Sequence, residues 1–378
     1  MIVIGSGPAG VSAAESFRQY NDELPVSIFT ADPDRPYTRP PLSKEYLRGE
    51  TDDVDLHPPQ WYAQRSIDLV RCATVEDIDL AGRGLVVDGT THRYKSLVIA
   101  CGASPTPLPV PGGEHALQLR SRADADRLRR VAGGASNVLI IGAGFIGCEA
   151  AASLAMRGLV VSVVAPDAAP QTQRLGSEAG ERLLGLLHEV GVRYVGGVEV
   201  EAIREDGVVL DNGTTMDADL VVAATGVQPS SDLAADGLKV DQSRIVVGAD
   251  MATSVDGVYA AGDVALAYNA TARRHLAVEH WQDAVDQGAV AGANAAGRDA
   301  TWDGVPGFWT TIGEATVKYH AWGDGYGFSR PVDRGGGFTV WYESAGATVG
   351  VLTCNADQDY ELGEHLIKEK KPAPPGAR

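Results

Sequence analysis

The chain has 378 residues, 44% of them apolar and 22% charged, with 45 glycines and a formal net charge of −18. That length calls for two or three domains able to bury a core without a disulfide or metal staple. The negative balance argues against nucleic acid or an anionic membrane as a partner. No run of about 18 apolar residues is present to span a bilayer. The first residues lack the basic-then-apolar order of a signal peptide, so the cytoplasm is the expected compartment.

The chain opens Met1-Ile2-Val3-Ile4-Gly5-Ser6-Gly7-Pro8-Ala9-Gly10, an apolar strand running into a glycine-rich turn and a helix. In such a turn Gly5 allows the sharp bend, Gly7 lets the backbone approach a pyrophosphate, and Gly10 lets the helix pack on the strand. Pro8 suits a first helical turn, and Ala9 lies among the amides that face the phosphates. A crossover helix is expected over Val11 to Tyr20 and a strand over Val26 to Thr30. Asp32, ~20 residues beyond Gly10, stands where a carboxylate accepts bonds from an adenosine ribose. A turn aspartate before Pro33 is the plainer reading.

Arg35-Pro36-Tyr37-Thr38-Arg39-Pro40-Pro41-Leu42-Ser43-Lys44 follows. A dinucleotide turn succeeded by PYxRPPLSK resembles the flavoprotein reductases that feed electrons to ferredoxins or rubredoxins. The resemblance implies that Arg39 and Lys44 lie beside FAD, with Lys44 near the isoalloxazine, where a cation stabilises reduced flavin. Related disulfide reductases carry a redox-active cysteine pair soon after the first βαβ unit. Here the first cysteine is Cys72, and Cys72, Cys101, Cys148 and Cys354 form no CxxC. Reduced structural thiols are expected, with no dithiol chemistry.

Trp61-Tyr62 fits the family's next stretch, and short strands are expected at Ile67 to Val70, Val75 to Leu80 and Gly84 to Val87, with a hairpin at Asp88-Gly89. Leu97 to Ala100 reads as a buried strand ending in Cys101-Gly102-Ala103-Ser104-Pro105. This resembles the family's ATGxxP turn with Cys101 in place of threonine, and brings Ala100 and Gly102 to the cofactor. The proline-rich Thr106 to Gly113 marks a domain boundary. A helix over Ser121 to Ala132 and a strand over Asn137 to Ile141 lead to a second glycine motif.

Gly142-Ala143-Gly144-Phe145-Ile146-Gly147-Cys148-Glu149 repeats the logic of the N-terminus. The resemblance assigns the first motif to FAD and the second to the nicotinamide nucleotide, with Glu149 near its nicotinamide end. In the first turn of a helix, Glu149 would equally serve the macrodipole. Val160 to Val164 is expected to be a strand, yet Ala165, Pro166 and Asp167 follow it where an NADH enzyme usually has a terminal carboxylate. Arg174 is the nearest cation, no basic cluster favours NADPH, and NADH is preferred.

A helix over Glu178 to Glu189, short strands from Val192 to Asp219 and the strand Leu220 to Ala224 precede Thr225-Gly226-Val227-Gln228-Pro229, which resembles the family's second TGxxP turn. Val258-Tyr259-Ala260-Ala261-Gly262-Asp263-Val264 resembles the strand ending in AGD, implying that Asp263 bonds the flavin's ribityl hydroxyls and that the next helix points at its phosphates. Glu279-His280-Trp281 with Gln282 to Ala296 resembles an EHW helix lying along the flavin, bordered by His280 and Trp281. An antiparallel meander of Val317 to Trp322, Phe338 to Glu343 and Thr348 to Cys354 follows, then a helix over Asp359 to Lys370 and a disordered tail from Lys371 to Gly376. Phe308-Trp309 matches an aromatic FWSDQ-like segment, but Thr310-Thr311-Ile312 follow. No histidine or cysteine spacing suggests a metal.

The implied fold is α/β, with two Rossmann-like nucleotide-binding domains of glutathione-reductase type and a small C-terminal α+β domain. The expected boundaries are 1–112 with 231–300 for FAD, 113–230 for NAD(P)H, and 301–378 for an interface domain. The implied activity is hydride transfer from NAD(P)H to FAD, with Lys44, Glu149 and Trp281 taking part, followed by single-electron transfer to a ferredoxin-type protein. Reduction of oxygen, a quinone or an organic substrate is one alternative. A redox-sensing flavoprotein of the apoptosis-inducing-factor type is another.

Overall fold

A computed structural model describes residues 1–205, 207–234 and 237–375. In chain order its principal elements begin with β1 (Ile2–Ile4), α1 (Pro8–Tyr20), β2 (Val26–Phe29), β3 (Ile67–Val70), β4 (Leu97–Ile99) and α2 (Arg122–Ala132). Next come β5 (Asn137–Ile141), α3 (Phe145–Met156), β6 (Val160–Ala165), α4 (Ser177–Glu189), β7 (Arg193–Gly196), β8 (Leu220–Ala223), β9 (Val258–Ala260) and α5 (Trp281–Ala295). The C-terminal part holds β10 (Gly307–Ile312), β11 (Ala315–Ala321), β12 (Phe328–Arg334), β13 (Gly337–Ser344), β14 (Ala347–Cys354) and α6 (Asp357–Glu369). The chain divides into two compact units, one of residues 1–38, 55–104 and 228–307, the other of 39–54, 105–227 and 308–378.

In the first unit the strand order is β9-β4-β1-β2-β3, all parallel. The order reverses between β1 and β4, and ligands bind beyond the carboxyl ends of strands at such a point. Helix α1 runs from Pro8, the residue read as suiting a first helical turn, ahead of the Val11 to Tyr20 stretch expected to be helical, with Gly7 in extended backbone as its N-cap. It packs against α5 at backbone distance. A Cβ on Gly288 would stand 2.2 Å from the Ala9 carbonyl oxygen, and one on Gly292 2.1 Å from that of Ala13. Ser12 and Ser16 stitch the pair by donating to the carbonyls of Val285 and Ala289, each at 2.7 Å.

The second unit contains a parallel sheet of order β7-β6-β5-β8, the same winding with one strand fewer. Its core joins Leu139, Ile141 and Val164 to Ile203, Val208 and Leu210. Helix α2 opens with a capping box in which Ser121 and Asp124 satisfy each other's amides. The C-terminal sheet runs β10-β11-β14-β13-β12, with antiparallel pairing from β11 onward. Helix α6 covers it, and Gly363 comes so near Val351 that a Cβ would meet its Cγ1 at 2.2 Å.

Three expectations change here. The meander has five strands; β12, with Arg330, Pro331 and Asp333, is too polar for its sequence to suggest a strand, although proline and charge are what an edge tolerates. Residues 371–375 are not a loose tail: the Thr348 amide donates to the Lys371 carbonyl at 2.8 Å, the Ala373 amide to Glu343 at 3.1 Å, and Arg330 to the Pro374 carbonyl. Gly376 lies outside the described residues. Finally, Glu279 and His280 precede α5, whose first residue is Trp281.

Gly292→Ala should lower unfolding stability by about 2 kcal/mol, since overpacking a rigid contact typically costs ~1–3 kcal/mol. Gly185→Ala in α4, where a Cβ meets nothing within 4 Å, should raise it by roughly 0.5–1 kcal/mol. Chemical denaturation of both variants measures the difference in sign.

Candidate functional site

The first glycine turn is shaped by what it cannot hold. Gly5 has φ 101°, and a Cβ there would sit 2.3 Å from the Ala100 carbonyl oxygen. A Cβ on Gly10 would sit 2.0 Å from that of Gly5, whereas nothing lies within 4 Å of the Cβ position of Gly7. The first and third glycines thus close the turn, and the second leaves open space above the α1 amides. Pro8 and Ala9 belong to the first turn of α1, whose N–H groups lack intrahelical partners and favour an anion.

Around it, Thr30 Oγ1 accepts from the Ser6 hydroxyl at 3.0 Å and the Asp32 amide at 3.2 Å. The Asp32 carboxylate accepts the Asp34 amide at 2.9 Å through Oδ1 and the Tyr37 hydroxyl at 3.0 Å through Oδ2. Asp32 is therefore a turn residue whose carboxylate retains spare acceptor capacity. The Ala100 amide donates to the Ile4 carbonyl at 2.8 Å, and Gly102 has φ 69°.

At the end of β9, Gly262 has φ 80° and donates its amide to Gln287 Oε1 at 2.9 Å. Asp263 is buried. The helix expected after it does not follow directly; the chain first forms a hairpin of Ala265–Asn269 and Arg274–Ala277 before α5. His280 is the N-cap residue of α5, its Nδ1 lies 3.2 Å from Asp283 Oδ2, and that buried carboxylate also takes the Gly307 amide at 3.2 Å. Glu279 accepts from Arg244, and Trp281 is partly exposed.

In the second unit the same construction recurs. A Cβ on Gly142, at φ 102°, would stand 2.4 Å from the Ala224 carbonyl oxygen, and one on Gly147 2.2 Å from that of Gly142. The Cβ position of Gly144 has only the Gln171 amide nitrogen near it, at 3.9 Å, and Gln171 Nε2 reaches over the turn to the Ala143 carbonyl at 3.2 Å. The Ala224 amide donates to the Ile141 carbonyl at 2.8 Å, as that of Ala100 does to Ile4. Thr225 and Gly226 follow, with Thr225 Oγ1 donating to the Thr106 carbonyl at 3.2 Å and Gly226 at φ 98°.

Phe145 opens α3 with its ring 4.6 Å from that of Phe308, and Ile146 is exposed. The Arg174 guanidinium stacks over Phe308 at 5.5 Å and Tyr319 at 5.7 Å. Asp167 accepts from Gln173 Nε2 at 2.9 Å, and its carbonyl accepts from the Tyr194 hydroxyl at 3.0 Å.

Glu149 is one turn inside α3 and buried, at 4% exposure, so the macrodipole reading gives way to a specific network. Lys44 Nζ lies 2.7 Å from its Oε1, Thr310 donates to the same oxygen at 2.6 Å, and Ser43 donates to Oε2. Lys44 also donates to the Pro40 carbonyl at 2.9 Å, and Ser153 to the Ser43 carbonyl at 2.7 Å. The PPLS segment forms a short 3-10 turn, Pro40–Ser43, preceded by the half-buried Arg39. Lys44 and Glu149 were singled out in the sequence; Ser43, Tyr37, Gln171 and Gln287 were not. For Ser43 and Tyr37 the PYxRPPLSK segment held the signal, whereas Gln171 and Gln287 belong to no motif.

Both turns fit a dinucleotide: each offers a glycine-lined opening at a helix N-terminus. Among the described residues no group of acidic, histidine and cysteine side chains could hold a metal, and no helix is long and apolar enough to cross a membrane.

Residues 1–288 match the family model of pyridine nucleotide-disulphide oxidoreductases. A ferredoxin–NAD(P)(+) reductase from a Sphingomonas species is 33% identical over 100% of this chain and 94% of its own length. Apoptosis-inducing factor 3 from Homo sapiens is 31% identical over 94% of this chain, which spans only 61% of that protein. Among solved structures, a ferredoxin reductase from Rhodopseudomonas palustris superposes with a TM-score of 0.93 at 30% identity, covering 98% of this chain and 95% of that one. With two dinucleotide-fitting turns on Rossmann-like sheets, and FAD and NAD(P)H as its cofactors, the chain belongs to the pyridine nucleotide-disulphide oxidoreductase family.

Proposed function

We propose that this protein is a cytoplasmic reductase that passes electrons from NAD(P)H through FAD to a ferredoxin-type iron–sulfur protein. The observation that carries this reading is likeness along the whole chain, C-terminal sheet included, to ferredoxin reductases. In it the first unit holds FAD through Gly5, Gly7, Gly10, Asp32, Gly262 and Asp263. The second holds the nicotinamide nucleotide through Gly142, Gly144 and Gly147. When bound, FAD would supply the hydride-accepting and one-electron-donating redox chemistry. The protein's part is alignment and charge: Lys44 provides the cation that favours reduced flavin, and Glu149 holds Lys44 in place.

Thiol chemistry fits poorly. Burial pushes Cys101 and Cys148 up to about 12 and raises Cys354 as well, which keeps these thiols protonated at neutral pH. With all four cysteines free, electrons leaving the flavin have no disulfide to reduce, in keeping with a one-electron acceptor. For the donor, Arg174 is engaged with Phe308 and Tyr319 and Asp167 follows β6, an arrangement that favours NADH over NADPH.

Anaerobic mixing with NADH should bleach the flavin absorbance at lower concentration than NADPH, and reoxidation should be rapid with an added ferredoxin and slow with quinone or oxygen. No bleaching with either nucleotide would sink the reading. Lys44→Met should cost about 3–5 kcal/mol of stability by stranding a buried carboxylate. Adding Glu149→Gln should restore much of that stability while flavin reduction stays slow, as denaturation and stopped-flow absorbance would report. At pH 8 a thiol reagent should label exposed Cys72 promptly, and Cys148 and Cys354 only on unfolding.

A further inference from the structure

Thr310 is fully buried on the inner face of β10, where Phe308, Thr310 and Ile312 point inward while Trp309 is exposed. Its hydroxyl donates to Glu149 Oε1 at 2.6 Å, the oxygen that also receives Lys44 Nζ at 2.7 Å. A β-branched side chain on a strand has little χ1 freedom, so this hydroxyl is aimed by the backbone of the C-terminal sheet. The carboxylate thus has Ser43 on one oxygen and two donors on the other.

We propose that Thr310 is a positioning residue for the flavin-reducing site, one that tunes how much of the Lys44 charge remains available to the cofactor; this rests on the reading that Lys44 serves flavin. In a low-dielectric interior a carboxylate short of donors leans harder on those that remain. Losing the Thr310 hydroxyl turns Glu149 toward Lys44 alone on that oxygen, and the ammonium is neutralised more completely. Reduced flavin, the more negative form, is then held less well. The C-terminal sheet, through one hydroxyl, thereby sets the driving force of the flavin.

The test is a reductive titration of the FAD-loaded protein with dithionite against a reference dye, needing no nicotinamide nucleotide. Thr310→Val, which keeps the shape and removes the donor, should move the flavin midpoint potential to a more negative value. Thr310→Ser should restore it. With NADH the limiting rate of flavin reduction in Thr310→Val should fall about tenfold, the equivalent of one buried hydrogen bond. If Thr310→Val does not fold, Thr310→Ala should show the same direction of shift. A potential unchanged in Thr310→Val, or in Thr310→Ala where that variant stands in, with a lowered melting temperature would overturn the proposal and leave Thr310 a packing residue. So would a Thr310→Ser potential as negative as that of Thr310→Val. If wild-type flavin were reduced by dithionite but by neither nucleotide, the proposed function would fail while the dithionite series still decided the role of Thr310.

Discussion

Backbone meeting backbone without an intervening Cβ is the constraint on which both nucleotide turns depend. In each, the first glycine lies under the carbonyl that follows the strand beyond the reversal, Ala100 in one and Ala224 in the other. The third lies under the carbonyl of the first. A strand can enter its helix so abruptly only if both positions lack a side chain, and the abrupt entry is what presents the helix amides to an anion. In the first unit the constraint extends further, because α1 is itself clamped at backbone distance by Gly288 and Gly292 of α5. The turn's geometry is therefore set by backbone packing without a ligand, and a site that needs no rearrangement loses less entropy on binding.

The Lys44–Glu149 pair is governed by a different economy. Both side chains are almost wholly removed from water, and a buried ion pair of this kind rarely stabilises a fold as well as apolar residues of the same volume would. In the proposed reading the charge itself is what the site uses. Hydroxyls from Ser43 and Thr310, together with the Pro40 carbonyl, satisfy the pair from separate segments of the chain. Such a network, with its partners fully bonded, fixes the lysine head in one place at a modest net cost.

Much of this was readable from residues alone, and the reasons differ by feature. The glycine turns were legible because their chemistry is local: spacing within ten residues dictates the bend. The strands read over Leu97 to Ala100 and Leu220 to Ala224, found at Leu97–Ile99 and Leu220–Ala223, followed from unbroken apolar runs such as buried parallel strands show. Pro8 was rightly read as suiting a first helical turn, whereas Glu149 was placed a turn too early because the glycine cap of α3 has no side chain to mark where that helix begins. The hairpin after Asp263 and the anchored residues 371–375 depend on partners distant in sequence. Propensity has no access to those: Pro372, Pro374 and Pro375 look like a tail until Thr348, Arg330 and Glu343 are seen holding that segment.

The departure at Thr310-Thr311-Ile312 gains meaning from strand alternation. Set beside a segment of FWSDQ type, Thr310 stands at the serine position and keeps a hydroxyl while adding a methyl on a buried strand position. Ile312, also inward and buried, replaces a polar side chain with an apolar one and tightens the core under β10. Thr311 lies on the opposite face with Trp309, which is 42% exposed. Change on the inner face therefore conserves the support of Glu149, and change on the outer face removes a carboxylate beside an exposed indole.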